Sequence, residues 1–273
     1  MRAWVINLDR SPDRWAFSEA QGARLALDLT RVAAVDGQAI PDALHAELCP
    51  PGRRGVRITK YELACYLSHL TAWEALVATG ASHGVVFEDD IQLADDAADF
   101  LDATGWLPAG ADLVKLTANK RRAKLSLRAS PTLNGRALRR LHSPTIDSAG
   151  YVISAAHAGR LLAQPRRFSR PVDRALFDPA TGASVYQLDP GLCAQQKFTD
   201  ETFLSEAGRG STIQARRARP PLDISPRKLR DELRNLYRKQ IFPVILPLLQ
   251  IGRAEENRIR FSTVPFRKEA TGG

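Results

Sequence analysis

Three adjacent carboxylates, Glu88, Asp89 and Asp90, directly follow the apolar residues 85–87. Like charges repel, so a buried strand that ends in three carboxylates loses stability unless a cation or hydrogen bonds compensate them. In an extended segment alternate side chains point to the same side, which places Glu88 and Asp90 on one face. Carboxylate oxygens suit Mg²⁺ and Mn²⁺, which commonly arrive with a bound diphosphate. The triplet predicts a metal–diphosphate site with Asp90, and then Glu88, as ligands.

The triplet is compatible with more than one kind of protein. It fits a metal-dependent phosphohydrolase or a nucleotidyltransferase as well as a transferase that releases a diphosphate. It could also cap the segment that follows it, or form a solvated acidic turn without any ligand. Neighbouring motifs are needed to separate these alternatives.

The elements that must position the triplet alternate between strands and helices. Short apolar runs predict strands within residues 3–8, 29–37, 85–87, 112–116, 149–154 and 184–190. Ser11 and Pro12 are typical of a helix start, and Thr59 with Glu62 predicts a capping box for a helix over Lys60–Ala78. This alternation indicates an α/β fold whose central sheet is largely parallel and flanked by helices. In such sheets ligands bind beyond the carboxyl ends of the strands, where the triplet lies.

The net charge of +9 is confined to the C-terminal part of the chain. Residues 1–206 hold 24 basic and 24 acidic side chains, whereas residues 207–273 hold 15 basic and 6 acidic ones. A predicted helix from Ser225 has an apolar stripe and basic residues around it. Such a helix suits an anionic membrane surface, although it could equally pack on the protein's own core, and the tail could simply be solvated. A non-enzymatic module that binds an anionic surface through this basic tail is therefore an alternative to an enzyme.

Composition also bears on partners and compartment. The chain does not interleave aromatic and basic residues as single-stranded nucleic-acid platforms do, so we expect no nucleic-acid partner. Three widely spaced cysteines fit neither a disulfide framework nor a zinc site, and neither a secretory signal nor a membrane span is recognised. We expect a cytoplasmic protein with one domain over residues 1–218. A basic amphipathic segment over residues 219–273 would attach it peripherally to the inner face of the cytoplasmic membrane.

Several motifs occur in an order that narrows the function. The chain contains INLDRSPDRW near its start, VDG after the second predicted strand, and ELACYLSHLTAWEAL immediately before VVFEDDIQL. AGYVISAAHAGRLL, RPVDRALF and YQLDPGLCAQ follow. In this order, from about Trp4 to about Thr212, they closely resemble glycosyltransferase family 25. The resemblance is closest to the bacterial branch of lipooligosaccharide galactosyltransferases; the family also contains the collagen galactosyltransferases.

The resemblance implies a GT-A-like catalytic domain that uses a UDP-sugar, UDP-galactose in the characterised members, with Mn²⁺ or Mg²⁺. It also implies inversion at the anomeric carbon and transfer to a hydroxyl of a lipid-linked lipopolysaccharide or lipooligosaccharide core sugar. An anionic membrane beside that acceptor would explain the basic tail. The sequence departs from the family pattern at Thr117, where many bacterial members have glutamate, at residues 145–148 and at Lys60-Tyr61. These departures bear on the donor sugar and the linkage more than on the reaction class.

Inversion requires a carboxylate that accepts the proton of the acceptor hydroxyl from the side opposite the leaving group. Asp173, in RPVDRALF, matches the Pro-Val-Asp element of the family and is the predicted catalytic base. It could instead cap a helix that begins at Arg174, since aspartate is a frequent cap residue. Asp147 and Asp189 are weaker alternatives for the base.

The remaining predicted site residues follow the first two strands or lie on the long helix before the triplet. Glu62 has an alternative role in the capping box, and His69 could be a hydrogen-bonded core histidine behind the triplet. Gln195 could bind a sugar hydroxyl, and the basic residues within 120–128 are predicted to lie in a loop. The predicted donor-binding residues are Asn7, Arg10, Arg14, Asp36, Gly37, Glu62, His69 and Asp89.

Overall fold

The computed structural model describes residues 1–52, 55–199, 245–246, 250 and 258–269. Its strands are β1 (Ala3–Asn7), β2 (Leu29–Ala33), β3 (His83–Glu88), β4 (Ile91–Leu93), β5 (Leu113–Lys115), β6 (Asn119–Ser126), β7 (Ser130–Pro131), β8 (Ala137–Arg140), β9 (Gly150–Ser154), β10 (Val185–Asp189), β11 (Cys193–Gln195) and β12 (Ile259–Val264). Its helices are α1 (Pro12–Leu25), α2 (Asp42–Leu48), α3 (Lys60–Ala78), α4 (Ala97–Asp102), α5 (Ala155–Leu162) and α6 (Val172–Leu176). The helix predicted from Ser225 lies outside the described residues.

The central sheet contains eight of the described strands, in the order β2-β1-β3-β9-β5-β10-β8-β7. β2, β1 and β3 are parallel to one another, as are β5 and β10. β9 lies between these two groups and is antiparallel to both β3 and β5. β8 is likewise antiparallel to β10 and β7. Six of the eight strands therefore run in one direction, which confirms the predicted α/β fold with a largely parallel sheet.

Alternate side chains of the strands face two separate cores, one on each side of the sheet. In β1, Trp4 and Ile6 face a core that also contains residues of α3, α5 and α6. Ala3 and Val5 face a second core with residues of α1 and α4. All five residues of β1 are buried, which is typical of a strand that is covered by helices on both faces. The predicted helix-flanked arrangement is therefore confirmed.

Helix α3 begins where the sequence predicts it. The Thr59 side chain accepts a hydrogen bond from Glu62 N at 3.1 Å, and the Glu62 carboxylate accepts one from Thr59 N at 2.8 Å. This capping box satisfies two backbone N–H groups that have no partner within the helix. Leu63, Trp73 and Leu76 are fully buried, so α3 is the central helix of its core. Its first turn borders the edge of the sheet that carries the triplet.

The prediction that the basic residues within 120–128 lie in a loop is wrong for most of them. Residues 119–126 form β6, which pairs antiparallel with β12 in a two-stranded ribbon. Ala123 and Leu125 are buried beneath this ribbon, and their burial stabilises a strand whose other residues are largely charged. β12 belongs to the predicted C-terminal segment 219–273, so the end of that segment pairs with the body of the protein. Within the described ranges, no helix is both long and apolar enough to cross a membrane.

Candidate functional site

Polar side chains gather where neighbouring strands end. Asn7 ends β1, Glu88 ends β3 and Lys115 ends β5, all at one edge of the central sheet. Because β9 runs in the opposite direction, the residues that precede it, Asp147 and Ser148, lie at the same edge. The carboxyl edge of the sheet is the usual ligand-binding position in open α/β folds. Part of it opens into a cleft of about 150 Å³.

This cleft brings together most of the residues that the sequence singles out. Eight of the eleven predicted site residues line it: Arg10, Arg14, Asp36, Gly37, His69, Glu88, Asp89 and Asp90. Asn7 lies directly behind the cleft, because its side-chain amide donates to Asp89. Glu62 and Asp173 do not line it. Glu62 is instead engaged in the capping box of α3, the alternative role considered for it.

Asp89 is held by the protein itself. Its carboxylate accepts hydrogen bonds from Asn7 Nδ2 at 2.7 Å and from Arg14 Nη1 at 3.1 Å. Arg31 Nε in turn donates to Asn7 Oδ1 at 2.9 Å. Burial raises the pKa of Asp89 even though Arg14 and Asn7 act against the shift. These contacts tie the end of β3 to β1 and α1, and the predicted contact of Asp89 with a sugar stays a prediction.

Glu88 and Asp90 lie in different surroundings. Ser148 Oγ donates to Glu88 Oε1 at 2.8 Å, and His69 Nε2 lies 3.7 Å from the same oxygen. Burial acts to raise the pKa of Glu88, but the nearby His69 and the hydrogen bond from Ser148 outweigh burial, and the pKa is lowered. Gln195 Nε2 lies 3.3 and 3.2 Å from the two carboxylate oxygens of Asp90. Burial, followed by the charge of Glu88, raises the pKa of Asp90 to about 7.

The donor atoms of this pair fit a hard divalent cation. Both side chains are carboxylates that line one cleft, and a cation there would compensate both the burial of the charge and the repulsion from Glu88, which together raise the pKa of Asp90. A softer set lies close by, because Cys65, His69 and Glu88 each place one ligand atom within 4.8 Å of the others. Burial raises the pKa of the Cys65 thiol well above its ordinary value. The two sets share Glu88, and the oxygen pair is the one that matches the hard divalent cation predicted from the sequence.

Two arginines, one just before α1 and one in its first turn, add positive charge to the cleft. Arg10 Nε donates to Asp36 at 2.7 Å, and Arg14 pairs with Asp89. The side chain of Arg10 is 45% exposed, so it can also turn toward a ligand. Guanidinium groups bind phosphate oxygens through charge-assisted hydrogen bonds. The cleft thus combines a carboxylate pair with cationic groups that suit an anionic ligand.

Gly37 is required by packing against α3. A Cβ atom at this position would lie 2.8 Å from Tyr61 Cδ1 and 3.0 Å from Tyr61 Cα. The loop after β2 therefore lies directly against the first turn of α3, and together they form one wall of the cleft. The sequence predicted that Gly37 allows a ligand to approach the backbone, whereas the close approach in the structure is to α3.

A second polar cluster lies beside the cleft and contains the predicted base. Asp147 N donates to the Asp173 carboxylate at 3.4 Å. Lys115, which is fully buried, donates from Nζ to Thr117 Oγ1 at 2.5 Å and to the Asp147 carbonyl. Burial raises the pKa of both Asp147 and Asp173 and lowers the pKa of Lys115.

Helix α6 begins at Val172 with Pro171 at its N-cap. Asp173 therefore lies inside the first turn, and the alternative in which it caps a helix from Arg174 is wrong. Asp189, one of the two weaker alternatives for the base, accepts hydrogen bonds from Arg139 at 3.0 Å and from Arg260 at 2.9 Å. Its carboxylate is therefore already paired with two arginines.

The structure also adds residues that the sequence predictions did not include. Ser148 bonds Glu88, Tyr61 and Cys65 line the cleft, and Tyr151 bonds His69. Tyr61 and Cys65 lie on the predicted helix α3, but nothing in the helical pattern marks which side of it faces the cleft. Ser148 and Tyr151 flank the start of β9. Their position near the site could be inferred only from the antiparallel direction of that strand.

The fold and the cleft define an α/β protein with an acidic site flanked by arginines, and comparison with known proteins identifies its family. A profile of the family described as "Glycosyltransferase family 25 (LPS biosynthesis protein)" matches residues 1–176. The lacto-N-neotetraose biosynthesis glycosyltransferase LgtB of Neisseria gonorrhoeae is 31% identical over 225 residues, which cover 78% of this chain and 78% of LgtB. The chain belongs to glycosyltransferase family 25, and the predicted resemblance is confirmed.

Other relatives agree with this assignment. The lipooligosaccharide biosynthesis protein lic2B of Haemophilus influenzae is 29% identical over 174 residues, which cover 58% of each chain. Among solved structures, mannose-1-phosphate geranyltransferase from Thermus thermophilus is similar over 68% of this chain and 73% of that chain, with 14% identity and a TM-score of 0.34. Such a distant likeness carries no argument, so the assignment as a glycosyltransferase depends on the family match and the sequence relatives.

Proposed function

We propose that this protein is an inverting, metal-dependent galactosyltransferase that moves galactose from UDP-galactose to a hydroxyl of a lipopolysaccharide or lipooligosaccharide core sugar. The observation that carries the proposal is the carboxylate pair Glu88 and Asp90, which lines a cleft beside Arg10 and Arg14 in a member of a glycosyltransferase family. The relatives' names, which refer to lacto-N-neotetraose and lipooligosaccharide biosynthesis, support an oligosaccharide acceptor.

On the donor side, Glu88 and Asp90 would hold Mn²⁺ or Mg²⁺. When bound, the ion supplies charge neutralisation for the diphosphate leaving group. Arg10 and Arg14 donate hydrogen bonds to phosphate oxygens, which orients the donor and adds to that neutralisation. Asp89, fixed by Asn7 and Arg14, keeps the end of β3 in place so that its two neighbours face the cleft.

On the acceptor side, Asp173 is the proposed base. Burial raises its pKa, which makes it a stronger proton acceptor than an exposed aspartate once it is ionised. The backbone N–H of Asp147 holds one Asp173 oxygen, and Asp173 Oδ1 is buried without a hydrogen-bond partner in the described structure. For that oxygen to accept the proton of the acceptor hydroxyl, the acceptor has to reach the polar cluster beside the cleft.

The test is a panel of UDP-hexoses that are incubated with a core oligosaccharide, with and without Mn²⁺. We expect glycosylated product to require the metal, the acceptor and UDP-galactose. Asp90→Asn should abolish turnover, whereas Asp95→Asn, at a partly exposed ion pair with Arg24 outside the cleft, should not affect it. Phosphate release without acceptor would identify a phosphohydrolase instead, and normal turnover by folded Asp90→Asn would remove the metal role.

We also propose that the C-terminal segment 219–273 attaches the enzyme to the anionic inner face of the cytoplasmic membrane, where a lipid-linked acceptor would lie. The excess of nine positive charges within residues 207–273 supports this attachment. The protein should bind vesicles that contain anionic lipid and detach from them at high salt. Equal binding to neutral vesicles would contradict the proposal.

A further inference from the structure

Three buried side chains behind Glu88 form a continuous set of polar contacts, here called the Tyr151 relay: Trp73, Tyr151 and His69. Trp73 Nε1 donates to the Tyr151 hydroxyl at 2.7 Å, and the same hydroxyl lies 2.8 Å from His69 Nδ1. On the other side of the imidazole, His69 Nε2 has no hydrogen-bond partner among the described residues, and Glu88 Oε1 faces it at 3.7 Å, just beyond hydrogen-bond distance. All three side chains of the relay are 0% exposed, so the protein has to supply their hydrogen-bond partners.

The donor and acceptor properties of these groups fix where the protons lie. An indole N–H can only donate, so the Tyr151 oxygen is the acceptor of the Trp73 bond. The Tyr151 proton then needs an acceptor of its own, and among the described residues His69 Nδ1 is the one within hydrogen-bond distance. A neutral imidazole that accepts at Nδ1 carries its proton on Nε2. The His69 Nε2–H group is therefore directed toward Glu88.

This arrangement distinguishes the two oxygens of Glu88. Oε1 accepts from Ser148 at 2.8 Å and faces His69 Nε2–H as well, whereas Oε2 has no such donors among the described residues. Oε1 is thus held by Ser148 and faces the imidazole of His69 on α3, which leaves Oε2 for the cleft. The Glu88 side chain is 26% exposed, so it is accessible from the cleft that it lines.

The same protons argue against His69 as a metal ligand. A metal at Nε2 requires the lone pair there and moves the imidazole proton to Nδ1. The Tyr151 hydroxyl would then receive two donors, and its own buried proton would lose its acceptor, which is unfavourable in a buried site. His69 is therefore better suited to orient Glu88 than to share its cation.

We propose that Tyr151, held in turn by Trp73, is a positioning residue that acts through His69 to present Glu88 to the cation through Oε2. The proposal rests on the proposed function for the metal role of Glu88. The position of the proton on His69, however, can be measured in the protein alone.

The first experiment locates that proton by ¹⁵N NMR of histidine-labelled, metal-free protein, with His69 assigned through His69→Gln. We expect the Nε2-protonated tautomer in the wild type. Tyr151→Phe removes the donor to Nδ1 and should lose this preference. Tyr66→Phe is the matched control. Tyr66 lies on α3 like His69 and in the same core as Tyr151, but its hydroxyl makes no hydrogen bond among the described residues. A wild-type His69 that is protonated on Nδ1 would overturn the relay even if Tyr151→Phe does not fold.

The second experiment titrates the metal-free proteins with Mn²⁺ alone and follows free Mn²⁺ by electron paramagnetic resonance. Residues that orient a metal ligand typically change metal affinity about 10–100-fold when substituted. We expect a weakening in this range for Tyr151→Phe, with Tyr66→Phe unchanged. In a His69→Ala background Tyr151→Phe should add little, because Tyr151 acts through His69.

Wild-type Mn²⁺ affinity in folded Tyr151→Phe, or full additivity with His69→Ala, would overturn the positioning role. If the wild type binds no Mn²⁺, the metal role of Glu88 and its positioning both fail. The His69 spectrum then still decides whether the hydrogen bonds of the relay exist, so the two failures are distinguishable.

Discussion

The carboxylates of the triplet are adjacent along the chain but have different partners in space. Asp89 is fixed by Asn7 and Arg14, and one oxygen of Glu88 is held by Ser148. Asp90 contacts Gln195 and carries the most strongly perturbed pKa of the three. This division explains how three like charges can be placed together, because two of them are compensated by the fold. The least compensated carboxylate is the natural partner of a cation.

Asp90→Asn is expected to stabilise the ligand-free protein while it abolishes turnover. A carboxyl whose pKa is raised by folding binds its proton more tightly in the folded state, so its ionisation destabilises the fold. The unfolded chain ionises near its ordinary value of 3.8 and the folded state near about 7, so the penalty grows between these values and is constant above them. Removal of the charge should stabilise the protein by roughly 1–3 kcal/mol above the folded pKa.

Urea denaturation of both metal-free proteins at a pH below the ordinary aspartate pKa, and again above neutrality, measures this difference. The stabilising effect of Asp90→Asn should be small at the lower pH and present at the higher one. If Asp90→Asn is less stable than the wild type at both pH values, the buried Asp90 carboxylate does not destabilise the folded protein.

Arg10→Ala is expected to weaken donor binding more than catalysis. A hydrogen bond between charged groups contributes about 1.5–3 kcal/mol, so KM for the UDP-sugar should rise roughly 10-fold or more with a smaller change in kcat. Arg24→Ala is the matched control, because Arg24 also forms an ion pair with an aspartate, but at the end of α1 and with Asp95 away from the cleft. Steady-state kinetics with varied donor tests this expectation, and equal KM values in both variants would exclude Arg10 from donor binding.

At the scale of elements, the sequence predicted the strands and helices that have strong local signals. The predicted capping box of α3 depends on two residues three positions apart, and it is present in the structure. The direction of β9 could not be predicted, because an apolar run reads the same in either direction and the connection before it contains β6, β7 and β8. That reversal is what brings Asp147 and Ser148 to the carboxyl edge.

The contact between α3 and the loop after β2 predicts that substitution of Gly37 lowers both stability and donor binding. In Gly37→Ala the new methyl group would overlap the Tyr61 ring and its backbone, so α3 or the loop has to move, at a typical cost of about 1–3 kcal/mol. Because both segments line the cleft, we expect a lower Tm together with a higher KM for the donor.

Gly159→Ala is the matched control for this substitution. Gly159 lies within α5, and a Cβ atom there meets nothing within 4 Å, so alanine should raise stability by up to about 1 kcal/mol. Thermal unfolding and kinetics of the two variants distinguish overpacking from a general effect of alanine. If Gly37→Ala leaves both Tm and the KM for the donor unchanged, α3 and the loop after β2 can adjust to the added methyl group without loss of stability.

At the scale of the whole molecule, the C-terminal strand is part of the catalytic body. Arg136, which is fully buried, forms a two-pronged ion pair with Asp96, with Nη2–Oδ1 at 2.5 Å and Nε–Oδ2 at 2.9 Å. The same guanidinium donates to the Arg267 carbonyl at 3.0 Å. Composition alone predicted a basic segment for partner binding, because charge counts show nothing of strand pairing. The long-range contacts of residues 258–269 could be found only in three dimensions.

Truncation after residue 257 is therefore expected to destabilise the catalytic body. It removes β12 from the β6 ladder and takes away the carbonyl that Arg136 bonds. We expect Tm to fall by about 2–8 °C, the shift that roughly 1–2 kcal/mol produces in a domain of this size. Truncation after residue 269 keeps all of these contacts and should have little effect. Equal Tm values for the two truncations would show that β12 contributes nothing to stability.

The pairing of β6 with β12 also bears on how the protein folds during its synthesis. β6 ends at Ser126, whereas its partner β12 begins only at Ile259. The last described strand before β12 is β11, which ends at Gln195. A ribosome that adds about 5–20 residues per second needs roughly 3–13 s to go from β11 to β12. Throughout this interval the β6 edge that later pairs with β12 lacks its partner, and unpaired edges recruit other chains. Slower growth at low temperature and co-expressed chaperones should therefore increase the yield of native enzyme.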